Sequence, residues 1–288
     1  MIEAPPESGP TVLRILLGTQ LRRRREEKGI SREAAGYQIR ASGSKISRME
    51  LGRVSLKHRD VADLLTLYGI KQGAEREMLL DLVTRANSPG WWRRYSDLLP
   101  DWFEPYIGLE DAASLIRTYE VQFIPGLLQT EEYARQLFTV GHPAASAEEI
   151  ERRVRLRMTR QQLLARRSPP HLWAVIDETA LRRLIGGRDV MRAQIERLID
   201  VLALRHVTLQ VMPFQAGGHA AEGGPFTLLR FPEPELPDVI YVEQLTSALY
   251  LDRRDDVDRY TEVMERLGVE SDPPERTAEI LRQALKQI

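Results

Sequence analysis

Residues 17–53 read LGTQLRRRREEKGISREAAGYQIRASGSKISRMELGR, and the spacing of apolar, capping and glycine positions in this stretch decides the fold of the N-terminal part. Leu13, Leu17 and Leu21 recur every four residues and Lys28-Gly29 closes the segment, which predicts one amphipathic helix stopped by a glycine C-cap. Ser31 then caps a second, short helix from Arg32 to about Ile39. Its oxygen can accept from the free N–H groups of Glu33 or Ala34, and Glu33 suits the positive helix end. Ala34, Ala35 and Gly36 are small, as a close neighbour requires. After a break at Arg40-Ala41, Ser42 caps a third helix to about Leu51, with Gly52 closing it. Ile46 and Met49 turn inward at a spacing of three, which leaves Gly43, Ser44, Lys45, Ser47 and Arg48 outward. Two short helices joined by a tight turn, the second polar and basic outside, are a helix-turn-helix unit.

Outward from this stretch, Val61, Leu64, Leu65, Tyr68, Met78, Leu79, Leu82 and Val83 mark two further helices split near Gly69 to Gly73, completing an all-α five-helix bundle. Ser88-Pro89-Gly90 breaks the pattern and is the expected domain boundary. The chain has 288 residues, enough for two domains: 13–88 and 89–288, preceded by a flexible tail over 1–12. Hydrophobic residues at 42% and charged residues at 29% exclude wholesale disorder, and zero cysteines exclude a disulfide scaffold, a thiol nucleophile and cysteine-ligated metal. No apolar run nears the roughly 20 residues of a membrane span, and Met1 to Pro10 lacks the basic and apolar regions of a signal peptide. A soluble cytoplasmic protein is expected.

The net charge of -1 conceals an asymmetry. Residues 1–70 carry thirteen basic side chains against eight acidic ones, so this part is +5 and the remainder -6. That is the pattern of a chain whose first part alone touches an anionic polymer. The run Arg22 to Arg25 has a second reading, the solvated face of a helix.

The quoted stretch resembles the lambda-repressor-like, or xenobiotic-response-element, helix-turn-helix family. That family has a leucine- and arginine-rich first helix, Gly-hydrophobic-Ser, a small residue in helix two, and Ile-Ser-Arg-hydrophobic-Glu-x-Gly closing helix three. The likeness covers residues 13–70. Ala35 stands where the family usually has leucine, Arg40 where it often has glycine at the turn, and Arg32 where glutamine is common. The resemblance implies double-stranded DNA as partner and a contact set of Arg32, Ser42, Ser44, Lys45, Ser47, Arg48 and Arg53. In that set Arg32 touches a phosphate, Ser44 and Arg48 point at base edges, Lys45 and Ser47 stand at the groove wall, and Arg53 follows the backbone. Arg48 can fork onto O6 and N7 of guanine, a contact worth about 1 to 3 kcal/mol of discrimination. Gly43 occupies a position where the family often places a reading side chain. Arg25 and Glu50 are expected to pair between helices one and three.

The body from Trp91 onward is expected to be an α+β domain with an antiparallel or mixed sheet. Strands are predicted at 172–176, 207–212, 226–231, 239–242 and 248–251, and helices at 110–120, 130–138, 148–167, 178–185, 190–204, 255–267 and 276–288. The aromatics Trp91, Trp92, Trp102, Phe103, Tyr106, Tyr119 and Phe123 fill a core or line a pocket. The helix over 148–167 carries seven arginines against three glutamates, either a solvated face or a surface for DNA or an acidic partner. The order EVQFIPGLLQTEEYAR, RMTRQQLL, VIDETALRR and LQVMPFQAGGHAAEGGPFTLLRF resembles the uncharacterised C-terminal domain of actinobacterial WhiJ-like regulators over residues 91–280. That resemblance implies developmental or antibiotic regulation and a small partner protein.

An enzyme is not expected. The five histidines form no H-x-x-x-H pair, there is no G-x-S-x-G elbow, and neither IGGRD nor AGGHAAEGGP fits a phosphate loop. No cofactor and no metal are expected. Gly217-Gly218-His219 reads as part of a hairpin-like loop ahead of a lid holding a general base. The expectation is a sequence-specific transcriptional regulator acting as a homodimer on two half-sites, because one helix-turn-helix buries too little surface for strong selectivity. The alternative is an antitoxin-like module that binds a small partner and regulates itself through DNA.

Overall fold

A computed structural model describes residues 9–233 and 236–288, which divide into two compact units. Of the expected tail, residues 1–8 lie outside the described residues. Pro10 to Val12 instead form the first turn of helix α1 (Pro10–Glu27), with Thr11 and Val12 buried. Proline suits that turn because its missing N–H has no helical partner there anyway.

In the first unit α1 is followed by α2 (Arg32–Gln38), α3 (Gly43–Glu50), α4 (His58–Leu67) and α5 (Ala74–Ala86). Val12, Leu13, Ile15, Leu16, Leu17 and Leu21 are all buried, more than one stripe could place, because α1 packs against α3, α5 and α6 (Glu104–Ala112). The predicted apolar positions of α4 and α5 are buried, except Met78, which is exposed. Ser88-Pro89-Gly90 is a turn after which the unit continues. Trp92, Tyr95 and Tyr106 are buried, and Trp91 Nε1 donates to Asp111 Oδ1 at 3.0 Å. A helix breaker marks a reversal of the chain, but the sequence alone cannot show whether the aromatic segment folds back.

The second unit is built on a mixed six-stranded sheet of β1 (Leu115–Glu120), β2 (His171–Asp177), β3 (Val207–Met212), β4 (Phe226–Arg230), β5 (Val239–Glu243) and β6 (Ala248–Leu251). The order is β3-β2-β1-β4-β5-β6, with β1, β2 and β3 parallel and β4, β5 and β6 added antiparallel. The five predicted strands are all present. The expected helix over 110–120 is not: its first residues end α6, and Leu115–Glu120 is the central strand. A strand covered on both faces loses the alternation that would have revealed it, and Ile116, Thr118 and Tyr119 are all buried.

Two helical crossovers join the parallel strands. Helices α7 (Glu131–Gly141) and α8 (Ala147–Gln161) lie between β1 and β2; α9 (Glu178–Arg182) and α10 (Arg188–Val201) lie between β2 and β3. Thr130 caps α7 by accepting from Tyr133 N, and Gln194 of α10 is fully buried, accepting from Thr130 N and donating to Leu128 O. The arginines of α8 are largely engaged inside this unit. Arg152 donates to Asp97 at 2.6 Å, Arg153 to Glu149 and Leu98 O, and Arg157 lies over the Phe138 ring. Helices α11 (Arg254–Glu270) and α12 (Pro274–Gln287) complete the unit, with Thr277 Oγ1 donating to Leu209 O at 2.6 Å.

At the end of β1 the Glu120 carboxyl is pushed up to about 7 by burial, with Glu243 acting in the same direction and Arg157 opposing. Its ordinary value is 4.5, so the stability it contributes is complete below that pH and is lost as pH rises through about 7. Glu120→Gln is expected to flatten the decline of Tm between about pH 5 and 8 and to raise Tm at the upper end. Parallel Tm profiles for the variant and the parent protein would contradict this.

Candidate nucleic-acid interface

The turn between α2 and α3 is built by two serine caps and one glycine. Ser31 accepts from Ala34 N at 3.1 Å and Ser42 from Lys45 N at 3.2 Å, so each short helix starts with a satisfied donor. Gly36 is buried, and a Cβ there would lie 2.6 Å from Ala41 O. The same approach lets Ala41 N donate to Gly36 O at 2.8 Å. Arg40 holds φ 54, the left-handed conformation for which glycine is the unstrained residue. Of the three small residues expected beside a neighbour, Ala35 and Gly36 are buried, whereas Ala34 is exposed.

The inner side of α3 is set by a buried carboxylate. Glu50 is 3% exposed and takes a two-pronged bond from Arg25, Nε to Oε1 at 2.5 Å and Nη2 to Oε2 at 3.0 Å. This is the expected pair between α1 and α3. The hydrogen bond to Glu50 holds the Arg25 guanidinium above its ordinary pKa. Burial first, and then Glu50, push the nearby Tyr68 hydroxyl up. Ile46 and Met49 are each 1% exposed beside the pair. Gly18 lets α1 close on the end of α3, since a Cβ there would meet Glu50 O at 2.4 Å.

With that side locked, Ser42, Ser44 and Arg48 are exposed, and Ser47 is half-buried on the same helix. Ser44 and Arg48 lie one turn apart and share a face. Arg32 is partly held back, its Nε donating to Glu50 Oε2 at 3.2 Å while much of the side chain stays exposed. Lys45 Nζ lies 2.7 Å from Asp60 Oδ2 in the first turn of α4, a partner the sequence reading did not name. Arg53 is half-buried just past Gly52, whose φ of 64 closes α3 against Ile15. Tyr37, at the end of α2, is 88% exposed.

The arginine run of α1 resolves into different roles. Arg22 and Arg23 pair with Glu26 and Glu27 one turn on, Arg24 binds Glu75 and Gln20, and Arg25 is internal. Exposed pairs of this kind are a solvated helix face. Among the described residues no group of three or more histidine, aspartate or glutamate side chains could hold a metal ion, and no helix is long and apolar enough to cross a membrane.

Two family models match the chain. One, described as a helix-turn-helix domain, covers residues 16–79; the other, described as Domain of unknown function (DUF5753), covers residues 103–283. No curated protein and no solved structure matches the chain.

Gly36→Ala is expected to destabilise the first unit by about 1 to 3 kcal/mol, because backbone rather than a yielding side chain meets the new methyl. Arg40→Gly is expected to act oppositely, by up to about 1 kcal/mol, through relief of the left-handed conformation. Urea unfolding of the full chain followed by circular dichroism checks both; a stabilising Gly36→Ala would contradict the close approach.

Proposed function

Because this chain belongs to the DUF5753 family and carries a helix-turn-helix domain ahead of that domain, we propose that it is a cytoplasmic, sequence-specific transcriptional regulator of the lambda-repressor-like, xenobiotic-response-element type and not an enzyme. The helix-turn-helix domain itself points to DNA binding. The observation that carries the finer reading is the two-sided character of α3. Ile46, Met49 and Glu50 anchor one side, and Ser44 and Arg48 are presented on the other. An eight-residue helix is about 12 Å long, close to the width of the B-DNA major groove. In this reading Ser44 and Arg48 read base edges. Ser42, Ser47, Arg32 and Arg53 position the helix on the backbone, and Lys45 reaches a phosphate from its place beside Asp60. The protein acts as a homodimer on paired half-sites, and its second unit, similar to the C-terminal domain of actinobacterial WhiJ-like proteins, receives a signal or a partner.

A second reading, an antitoxin-like module for a small partner protein, is favoured by the β5–β6 hairpin. Leu245 is 97% and Leu249 53% exposed, and β6 is an edge strand with no charge or proline to guard it.

Selection from a random DNA pool with the full chain gives the operator and its symmetry. Arg48→Ala is expected to cost about 1 to 3 kcal/mol on that operator and to relax preference at one base pair, while random DNA is bound as before. Lys45→Ala is expected to weaken all sequences alike and to reduce the salt dependence by about one unit of slope. Equal losses on operator and random DNA for Arg48→Ala would overturn the base-reading role. A palindrome-free operator would overturn the dimer.

A further inference from the structure

Glu33, in the first turn of α2, is a carboxylate that no cation answers. Between residues 9 and 70 every other acidic side chain is within ion-pair distance of a basic one: Glu26 of Arg22, Glu27 of Arg23, Glu50 of Arg25 and Arg32, Asp60 of Lys45, and Asp63 of Arg59. Among the described residues the Glu33 side chain has no ion pair and no hydrogen bond, and it is exposed. In a part of the chain where each other carboxylate is matched, the unmatched one stands beside the helix that the DNA-binding reading places in the groove.

Its position is set by a glycine. A Cβ on Gly43, the first residue of α3, would stand 2.7 Å from Glu33 Oε1 and 3.3 Å from its Cδ. Gly43 brings no side chain of its own, so the space at the leading end of α3 is taken by an anion carried on α2. The next residue is the exposed Ser44. In a helix-turn-helix the first residues of the second helix are the ones that meet base edges. A negative charge in the first turn of α2 also suits the positive helix end. That role needs a carboxylate in the turn, but it does not need one laid against Gly43.

Brought up to DNA, this carboxylate carries a cost that one kind of base relieves. It is repelled by the phosphates and gives up water, so it weakens binding to any duplex that offers it nothing. In the major groove guanine presents the acceptors N7 and O6 and thymine the acceptor O4, and these repel it further. Adenine pairs its N6 donor with the acceptor N7, whereas cytosine presents the N4 amino group alone. An acidic side chain here therefore adds little affinity and penalises wrong sequences, which is one of the two ways to obtain discrimination.

We propose that Glu33 is a specificity-determining residue of the DNA interface, its carboxylate over Gly43 accepting from the N4 amino group of a cytosine. This rests on the DNA-binding reading above and adds to it a base contact made from α2, at a base pair other than the one Arg48 reads.

The test is selection from a random DNA pool with the full chain, with Glu33→Ala and with Arg48→Ala, compared position by position. The parent operator is expected to hold a cytosine preference that Glu33→Ala lowers by about fivefold or more and that Arg48→Ala leaves unchanged. Random DNA is expected to bind Glu33→Ala about two- to fivefold more tightly, because an anion has left the interface. Glu33→Gln, which keeps the shape and loses the charge, is expected to bind random DNA more tightly as well and to admit other bases at the same position. A merely structural role in α2 would instead weaken binding to every sequence. An unchanged base preference in Glu33→Ala, or weaker binding of that variant to random DNA, would overturn the proposal. Relaxation of its own base pair by Arg48→Ala in the same selection would then leave the DNA-binding reading standing. If the full chain selects no sequence, that reading falls and this inference with it.

Discussion

One buried carboxylate organises the first unit. Removing Glu50 from water is costly, and the cost is met only because Arg25 offers two parallel N–H groups at the right separation and Arg32 adds a third. Ile46 and Met49, each 1% exposed, already commit one side of α3 to the core. A forked ion pair accepts one geometry, so it fixes that orientation and with it which side chains face out. The glycines serve the same closure: Gly18 admits the end of α3 against α1, and Gly36 admits its start against α2. Arg48 and Ser44 owe their exposure to contacts made by other residues.

The second unit depends on β1. It lies where the parallel strands meet the antiparallel ones, so every strand is placed directly or indirectly against it. A strand in that position has both faces covered and carries side chains into two chemically different layers. Glu120 reports on one, where burial raises its pKa. Arg117 and Tyr119 belong to the other, beneath α11. Ionisable groups on a central strand cannot turn to water as they could on an edge strand, which is why burial raises the pKa of both the Glu120 carboxyl and the Tyr119 hydroxyl.

Much of this was legible beforehand. The helices of the first unit, both serine caps, the Arg25–Glu50 pair and five of six strands follow from periodicity, capping residues and turn signals that act over a few positions. The exposed pair Ser44 and Arg48 follows from the inward spacing of Ile46 and Met49. Other features were hidden. β1 read as helix because its alternation is erased by cover on both faces. The unit containing α1 ran on past Gly90 because a turn signal does not say where the chain goes next. Asp60 beside Lys45 and Glu75 beside Arg24 join residues 15 and 51 positions apart, and no local pattern announces such pairs.

The sequence by itself therefore determined the kind of each unit, a helix-turn-helix bundle and then an α+β domain, together with the basic helix that points to DNA. Tertiary structure alone decided which arginines are internal struts and which remain exposed. It also laid Arg117 over Trp173 with Nε and Nη1 lacking hydrogen-bond partners among the described residues, and joined Tyr119 to His219 across 100 residues. The reason is the range of the forces involved: propensity, capping and periodicity are settled within a turn or two of chain. Desolvation and ion pairing depend on which distant segments come to enclose a group.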